Sequence, residues 1–379
     1  KNIEIPEDSK LQLIGKSSFN HSIIRQLSIP PSLIEIQDGW CQSTPLLTEI
    51  KMIGKNENFI YYKDQFLLGK STQESEIFDV LLFARRDIEH AIIPSFIRLI
   101  SSYSFENCKK LTRLEIEENS QLEIICDYAF SNTSIKSISI PPSLTKICEY
   151  AFSCCQKLTE INIPENSELI TIEFGAFCES SISSLLIPQN LVDLKDGWCS
   201  ATPKLNDIKI MPKNNRYSYF NESFIIEKSK QESEIFDVLI FAKRNIEYAE
   251  IPQFIKRIGP YAFERCLSLK QIEIQSDSAL QIIGRCSFYN SSIESILIPS
   301  NVTEIHQEAF YECENLKKIQ FNENSKLKKI EQKCFGSTNL ETIFIPSCNT
   351  EICEDAFSSC KLKQIEFSKK SNLQIIGKN

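Results

Sequence analysis

One spacing limits what this chain can fold into more than any other feature. A small residue followed by Phe recurs at Phe19, Phe105, Phe130, Phe152 and Phe177, then again at Phe263, Phe288, Phe310, Phe335 and Phe357. Most neighbouring intervals alternate between a shorter step, as from Phe130 to Phe152, and a longer one, as from Phe152 to Phe177. Both fall in the range of about 20–30 residues that one short repeat unit occupies. Trp40 and Trp198, both in the phrase DGWC, read as occupants of the same slot. A unit this short cannot bury an apolar face alone, but copies stacked in register can. The spacing therefore predicts a solenoid of coils sharing one continuous core over residues 1–379, without an ordinary domain boundary.

The two intervals belong to two coil types. The longer reads AFSCCQKLTEINIPENSELITI from Ala151, and the shorter reads FYNSSIESILIPSNVTEI from Phe288. Both carry an I-x-I step, whose period of two marks a short strand with one buried face. Pro141, Pro188, Pro299 and Pro346 follow that step and should end the strand, since proline has no N–H for a ladder. The segment around each Ala-Phe pair is expected to make a short helical or 3-10 turn on the opposite side of the coil. The expected class is therefore α/β.

Two long gaps interrupt the rhythm, from Trp40 to Phe105 and from Trp198 to Phe263. Each holds nearly the same phrase, ESEIFDVLLFARRDIEHAIIP from Glu74 and ESEIFDVLIFAKRNIEYAEIP from Glu232. The displacement from Glu74 to Glu232 equals that from Trp40 to Trp198. A block of coils has been duplicated together with its insertion. In the first copy, aromatic and β-branched residues flank the linker STQES, which predicts a β-hairpin projecting from the stack. The inserted islands are placed at about residues 53–93 and 211–251. The opening residues match the middle of a coil (IEIPEDSKLQLIGKSSF against IEIQSDSALQIIGRCSF from Ile272), and the chain stops at LQIIGKN. Neither end reads as a polar cap, so a fragment of a longer array is expected.

The phrases ISIPPSLTKICEYAFSCCQKL from Ile138 and ILIPSNVTEIHQEAFYECENL from Ile296 resemble the BspA-type, or Treponema-type, leucine-rich repeat. The resemblance runs over essentially the whole chain outside the two insertions. It implies a right-handed solenoid and a cell-surface or secreted role in adhesion, as in bacteria and parasitic protists. Its motif residues build the core, so it transfers no catalytic residue.

The remaining features narrow the chemistry. With a formal net charge of −8 the chain lacks the basic stripe that a nucleic-acid binder needs. No apolar run approaches the roughly 18 residues that span a bilayer, so no membrane insertion by this segment is expected, and no signal-peptide pattern is present. His21, His90 and His306 form no metal or catalytic motif, and no phosphate-binding glycine motif occurs, so no enzyme and no cofactor is expected. Of 15 cysteines, Cys108, Cys155, Cys266, Cys313 and Cys360 follow the Phe marker at one fixed offset, a core slot. Cys126 and Cys148 share another column, close enough for a disulfide. The clusters Cys148, Cys154, Cys155 and Cys348, Cys353, Cys360 lack the paired C-x-x-C spacing of a zinc site, and no metal is expected.

Recognition should fall on the outward side of the I-x-I strands. Most central residues there are polar, as at Glu115, Ser139, Asn162, Lys209, Glu273, Gln320 and Glu366, but Leu186, Leu297 and Phe344 are not. Leu297 and Phe344 should flank Gln320 as a small patch. The pairs Arg85–Arg86 and Lys243–Arg244 could dock an acidic partner or protect a strand edge. Sequons at Asn20, Asn132, Asn221, Asn290 and Asn301 are glycan acceptors if the chain is secreted, or chance in an Asn- and Ser-rich chain. The expected function is a non-catalytic surface or secreted binder of a protein or glycan partner, host or extracellular matrix among them. An intracellular repeat scaffold is the alternative, favoured by an odd number of cysteines in core slots. An enzyme housed in an insertion is the third reading.

Overall fold

The computed structural model describes residues 1–322 and 324–378. The chain falls into two compact units, residues 1–202 with 211–214 and residues 203–210 with 215–379. Each is a run of stacked coils, and each coil contributes two strands rather than one. The I-x-I step forms the first. The L-x-x-I step that follows forms a second, very short strand.

In the first unit the second strands make a parallel ladder through Leu99–Ile100, Ile124–Ile125, Lys146–Ile147, Thr171–Ile172 and Asp193–Leu194. Its register places Ile100, Ile125, Ile147, Ile172 and Leu194 side by side. The second unit repeats this with Arg257–Ile258, Ile282–Ile283, Glu304–Ile305, Lys329–Ile330, Glu351–Ile352 and Ile375–Ile376. Its strands Tyr248–Ile251, Gln271–Ile274, Ser295–Ile298 and Thr342–Ile345 each run exposed–buried–exposed–buried.

No helical residue occurs among the described residues, so the expected helical turns are corrected to an all-β coil with tight turns. Two backbone positions explain this. Tyr103, Tyr128, Tyr150, Gly175 and Tyr261, just before the Phe, have φ of 54–62°. Asn107, Asn132, Cys154, Glu179 and Arg265, just after it, have φ of 52–61°. Left-handed residues on both sides leave too few right-handed residues between them for a helical turn.

The Phe rings sit between these turns and form the spine of each core. Phe105, Phe130, Phe152 and Phe177 stack at 4.8, 5.2 and 5.8 Å. Phe263, Phe288, Phe310, Phe335 and Phe357 stack at 4.9–5.7 Å. The coil rise, close to the ~4.8 Å between paired strands, sets this near-parallel geometry.

The tryptophans do not share the Phe slot. Phe130 N–H donates to Ala151 O and Phe152 N–H to Ala176 O, whereas Phe19 N–H donates to Trp40 O and Phe177 N–H to Trp198 O. Trp40 and Trp198 therefore stand in the small-residue position, and Cys41 and Cys199 take the Phe position. The intervals from Phe19 to Cys41 and from Phe177 to Cys199 then equal the step from Phe130 to Phe152, which restores the rhythm.

The inserted segments also differ from a two-strand projection. Phe59–Tyr62 pairs antiparallel with Phe66–Gly69, which pairs antiparallel with Val80–Ala84. That third strand then pairs in parallel with Leu99–Ile100 and is buried along its whole length. In the second unit Tyr217–Phe220, Phe224–Lys228 and Phe236–Ala242 do the same before Arg257–Ile258. The reason lies in the run VLLFA. With apolar residues on both faces, it is a strand for a covered sheet rather than for a solvated hairpin. Lys63 and Asp64, both left-handed, close the first turn, and Asn221 with Glu222 close its counterpart.

Candidate recognition face

The outward side of the I-x-I strands behaves as the period of two requires. In the second unit Leu297 is 39% exposed and pairs with exposed Gln320, and Phe344 is also 39% exposed. In the first unit Leu186 is only half-buried and so offers less apolar surface than expected. Ile92 is instead 42% exposed. It lines a shallow groove of about 750 Å³ with Arg113, Glu115, Glu117 and Lys136. Sequence inspection passed over Ile92 because its strand reads A-I-I rather than I-x-I. His90 Nε2 lies 3.2 Å from Glu115 Oε1. At the duplicated position the Tyr248 hydroxyl donates to Glu273 Oε2 at 2.7 Å. That substitution keeps a polar cross-strand pair while changing its chemistry.

The basic pairs divide. Arg85 is partly exposed and forms a two-pronged ion pair with Asp87, at 2.7 and 2.9 Å. Lys243 is also partly exposed. Arg86 and Arg244 are each only 3% exposed, which withdraws them from any docking surface. Arg86 donates to Ser104 O at 2.7 Å, Tyr103 O at 3.1 Å and Cys41 O at 3.3 Å, and lies 4.7 Å from the Phe83 ring centre. Arg244 donates to Ala262 O and Tyr261 O and lies over Phe241. At each insertion an inward arginine supplies donors to turn carbonyls, those of the following turn among them. Nearby Glu106 accepts from Ser43 N–H at 2.6 Å, and burial raises its carboxyl above the ordinary range.

The cysteine slot is a hydrogen-bonded core position. Cys155 Sγ donates to Phe130 O at 3.1 Å and Cys313 Sγ to Phe288 O at 2.9 Å. Burial pushes these thiols up to about 11 and about 12, so neither is a ready nucleophile. Of the sequon asparagines, Asn20 and Asn221 are exposed and Asn290 is half-buried. Asn132 donates its amide to Asn107 Oδ1 at 2.6 Å, and Asn301 donates to Ser278 O at 2.9 Å.

One mixed cluster lies at the ends of the second strands in the first unit. A carboxylate oxygen of Asp127, Cys148 Sγ and a carboxylate oxygen of Glu173 all lie within 4.8 Å of one another. Cys126 stands beside Cys148 in the same column, because each follows one of the paired residues Ile125 and Ile147. Burial raises the Asp127 carboxyl, and the charges of Glu173 and Asp38 add to the effect.

The model of the BspA-type leucine-rich repeat region matches in six copies, over residues 1–72, 76–206, 234–363 and 328–379. The chain belongs to the BspA-type leucine-rich repeat family. Among solved structures, this BspA-type chain is similar to the pneumococcal vaccine antigen PcpA, with 17% identity and a TM-score of 0.58 over 98% of this chain and 92% of that one. A leucine-rich repeat protein from Eubacterium ventriosum is 20% identical, with a TM-score of 0.58 over 77% and 82%. A leucine-rich cell surface protein from Faecalibacterium prausnitzii is 22% identical, with a TM-score of 0.53 over 77% and 79%. At these identities the likeness is one of fold. No curated relative matches the BspA-type chain significantly. Among its described residues no helix is long and apolar enough to cross a membrane.

Proposed function

We propose that this BspA-type array is a non-catalytic adhesion or ligand-binding protein, displayed at a cell surface or secreted, that presents its strand face to a protein or glycan partner. The observation that carries the reading is the row formed by Leu297, Gln320 and Phe344. It places two large apolar side chains, each 39% exposed, on the outward side of the strands. Large side chains set among polar neighbours mark partner sites, and repeat arrays bind through such extended surfaces. Two similarly folded proteins, a cell surface protein and a vaccine antigen by name, agree with display outside the cell. Arg85 and Lys243 stay partly exposed, whereas Arg86 and Arg244 are buried.

Staining of intact, unpermeabilised source cells with an antibody to this chain tests the location, and a signal only after permeabilisation rejects it. Leu297→Ser with Phe344→Ser tests the face. With the fold intact by circular dichroism, binding to cells should fall about tenfold or more, the loss typical of buried contact residues. Unchanged binding removes the row from consideration.

One observation favours an intracellular scaffold as a second reading. The cysteines number 15, an odd count, and nine are buried in the core, a pattern suited to a reducing compartment. The same staining experiment separates the two.

A further inference from the structure

We propose that Cys126, Asp127, Cys148 and Glu173 form a zinc-binding site that clamps three successive coils of the first unit. The residues come together through the ladder register. Ile125, Ile147 and Ile172 are direct neighbours in adjacent parallel strands, and Cys126, Cys148 and Glu173 follow them immediately. Their amides continue the ladder, donating to Ile100 O, Ile125 O and Ile147 O, each at 2.9 Å. Three ligand-bearing residues are thus held in one column on a rigid backbone at the coil rise of ~4.8 Å.

The donor set fits zinc. Asp127, Cys148 and Glu173 already offer ligand atoms within 4.8 Å of one another, and the register sets Cys126 beside Cys148, one coil away. Asp127, Cys148 and Glu173 supply three ligands, and turning the Cys126 side chain toward them would supply the fourth of a tetrahedral site, with Zn–S of ~2.3 Å and Zn–O of ~2.1 Å. Sulfur ligands select against magnesium and calcium, which take oxygen alone. Four protein ligands make a closed, structural site rather than a catalytic one. Lys146 Nζ holds Glu173 Oε1 at 2.8 Å, which orients that carboxylate. Asp127 Oδ1 accepts from Glu149 N–H at 3.1 Å, which orients the carboxylate.

On binding, each thiol loses its proton to the buffer and each sulfur forms a bond to zinc, so two protons are released per metal and affinity rises with pH. A Cys126–Cys148 disulfide is the competing fate of the two sulfurs. It would consume both thiols and leave the convergence of Asp127 and Glu173 without a role.

The test is titration of the full chain, metal-free and kept reduced, with zinc alone. Affinity is read by competition with a chromogenic chelator, and thiolate coordination by the charge-transfer absorption of the cobalt(II) form. One equivalent should bind. Cys148→Ser and Cys126→Ser should each weaken binding by more than about 100-fold, and Asp127→Asn by at least about tenfold, since even outer-shell changes at zinc sites cost 10–100-fold. Cys348→Ser, which removes an exposed thiol in the second unit, should change nothing. Should a variant fail to fold, hydrogen exchange of the wild-type chain decides the matter. Zinc should then slow exchange of the Cys126, Cys148 and Glu173 amides. Absence of a thiolate–cobalt band, equal affinity in Cys148→Ser, or recovery of a Cys126–Cys148 disulfide from protein isolated with its thiols blocked would each overturn the site.

Discussion

Replacing Arg86 tests the account of the inserted segments most directly. Its guanidinium donates to three backbone carbonyls, Ser104 O, Tyr103 O and Cys41 O, and lies 4.7 Å from the Phe83 ring centre. A hydrogen bond to a charged group contributes about 1.5–3 kcal/mol net, and a desolvated cation–π contact about 2 kcal/mol. Against this stands the desolvation of the guanidinium, several kcal/mol. The gross gain exceeds that cost because the fork satisfies carbonyls that would otherwise be buried with fewer donors. Removing one side of such a buried network costs about 3–5 kcal/mol. Arg86→Ala should therefore lower the stability of the first unit by about 3–5 kcal/mol in urea unfolding. Arg86→Lys should recover less than half of the loss, because one ammonium cannot serve three carbonyls as a planar fork does. The first unfolding transition should move while that of the second unit stays in place. A loss below about 0.5 kcal/mol for Arg86→Ala, the value of an ordinary surface change, would refute the reasoning.

Two further outcomes follow from the geometry. Gly175 has φ +62°, and an added Cβ would come within 2.6 Å of the Tyr150 ring, so Gly175→Ala should cost about 1–3 kcal/mol in thermal unfolding. Burial works to raise the Asp237 carboxyl, but hydrogen bonds from Ser229 and Lys256 outweigh it and hold the group below its ordinary 3.8. A depressed folded-state value adds stability above the unfolded value that is lost as pH falls through the folded one. Asp237→Asn should therefore flatten the stability–pH curve below about pH 4, and an unchanged acid limb would reject the assignment.

The array was legible because its signal repeats. A single I-x-I step is weak, but many in register leave only a stacked coil as a way to cover their apolar faces. The turn conformation was less legible. Tyr103, Tyr128 and Tyr150 stand at left-handed positions that bulky residues disfavour. They hold there because their rings stack at 5.0 and 4.9 Å, a contact between coils that no local propensity contains. Trp40 misled for a related reason. Its size drew it to the Phe slot, although the shorter repeat step, counted on from Phe19, already pointed to Cys41.

Sites in a stacked array are written down the columns and not along the chain. Cys126, Cys148 and Glu173 are each a full coil apart in sequence, so the repeat spacing joins the two cysteines but gives no sign of Glu173. Once the register sets Ile125 beside Ile147 and Ile172, the residue after each becomes a neighbour of the next. The same argument places Leu297 beside Gln320, one coil further on. A substitution in such a column therefore acts on the coils above and below it before it acts on its own, and changes at either position should couple to the adjacent coil in double-mutant cycles while adding independently to changes two or more coils away.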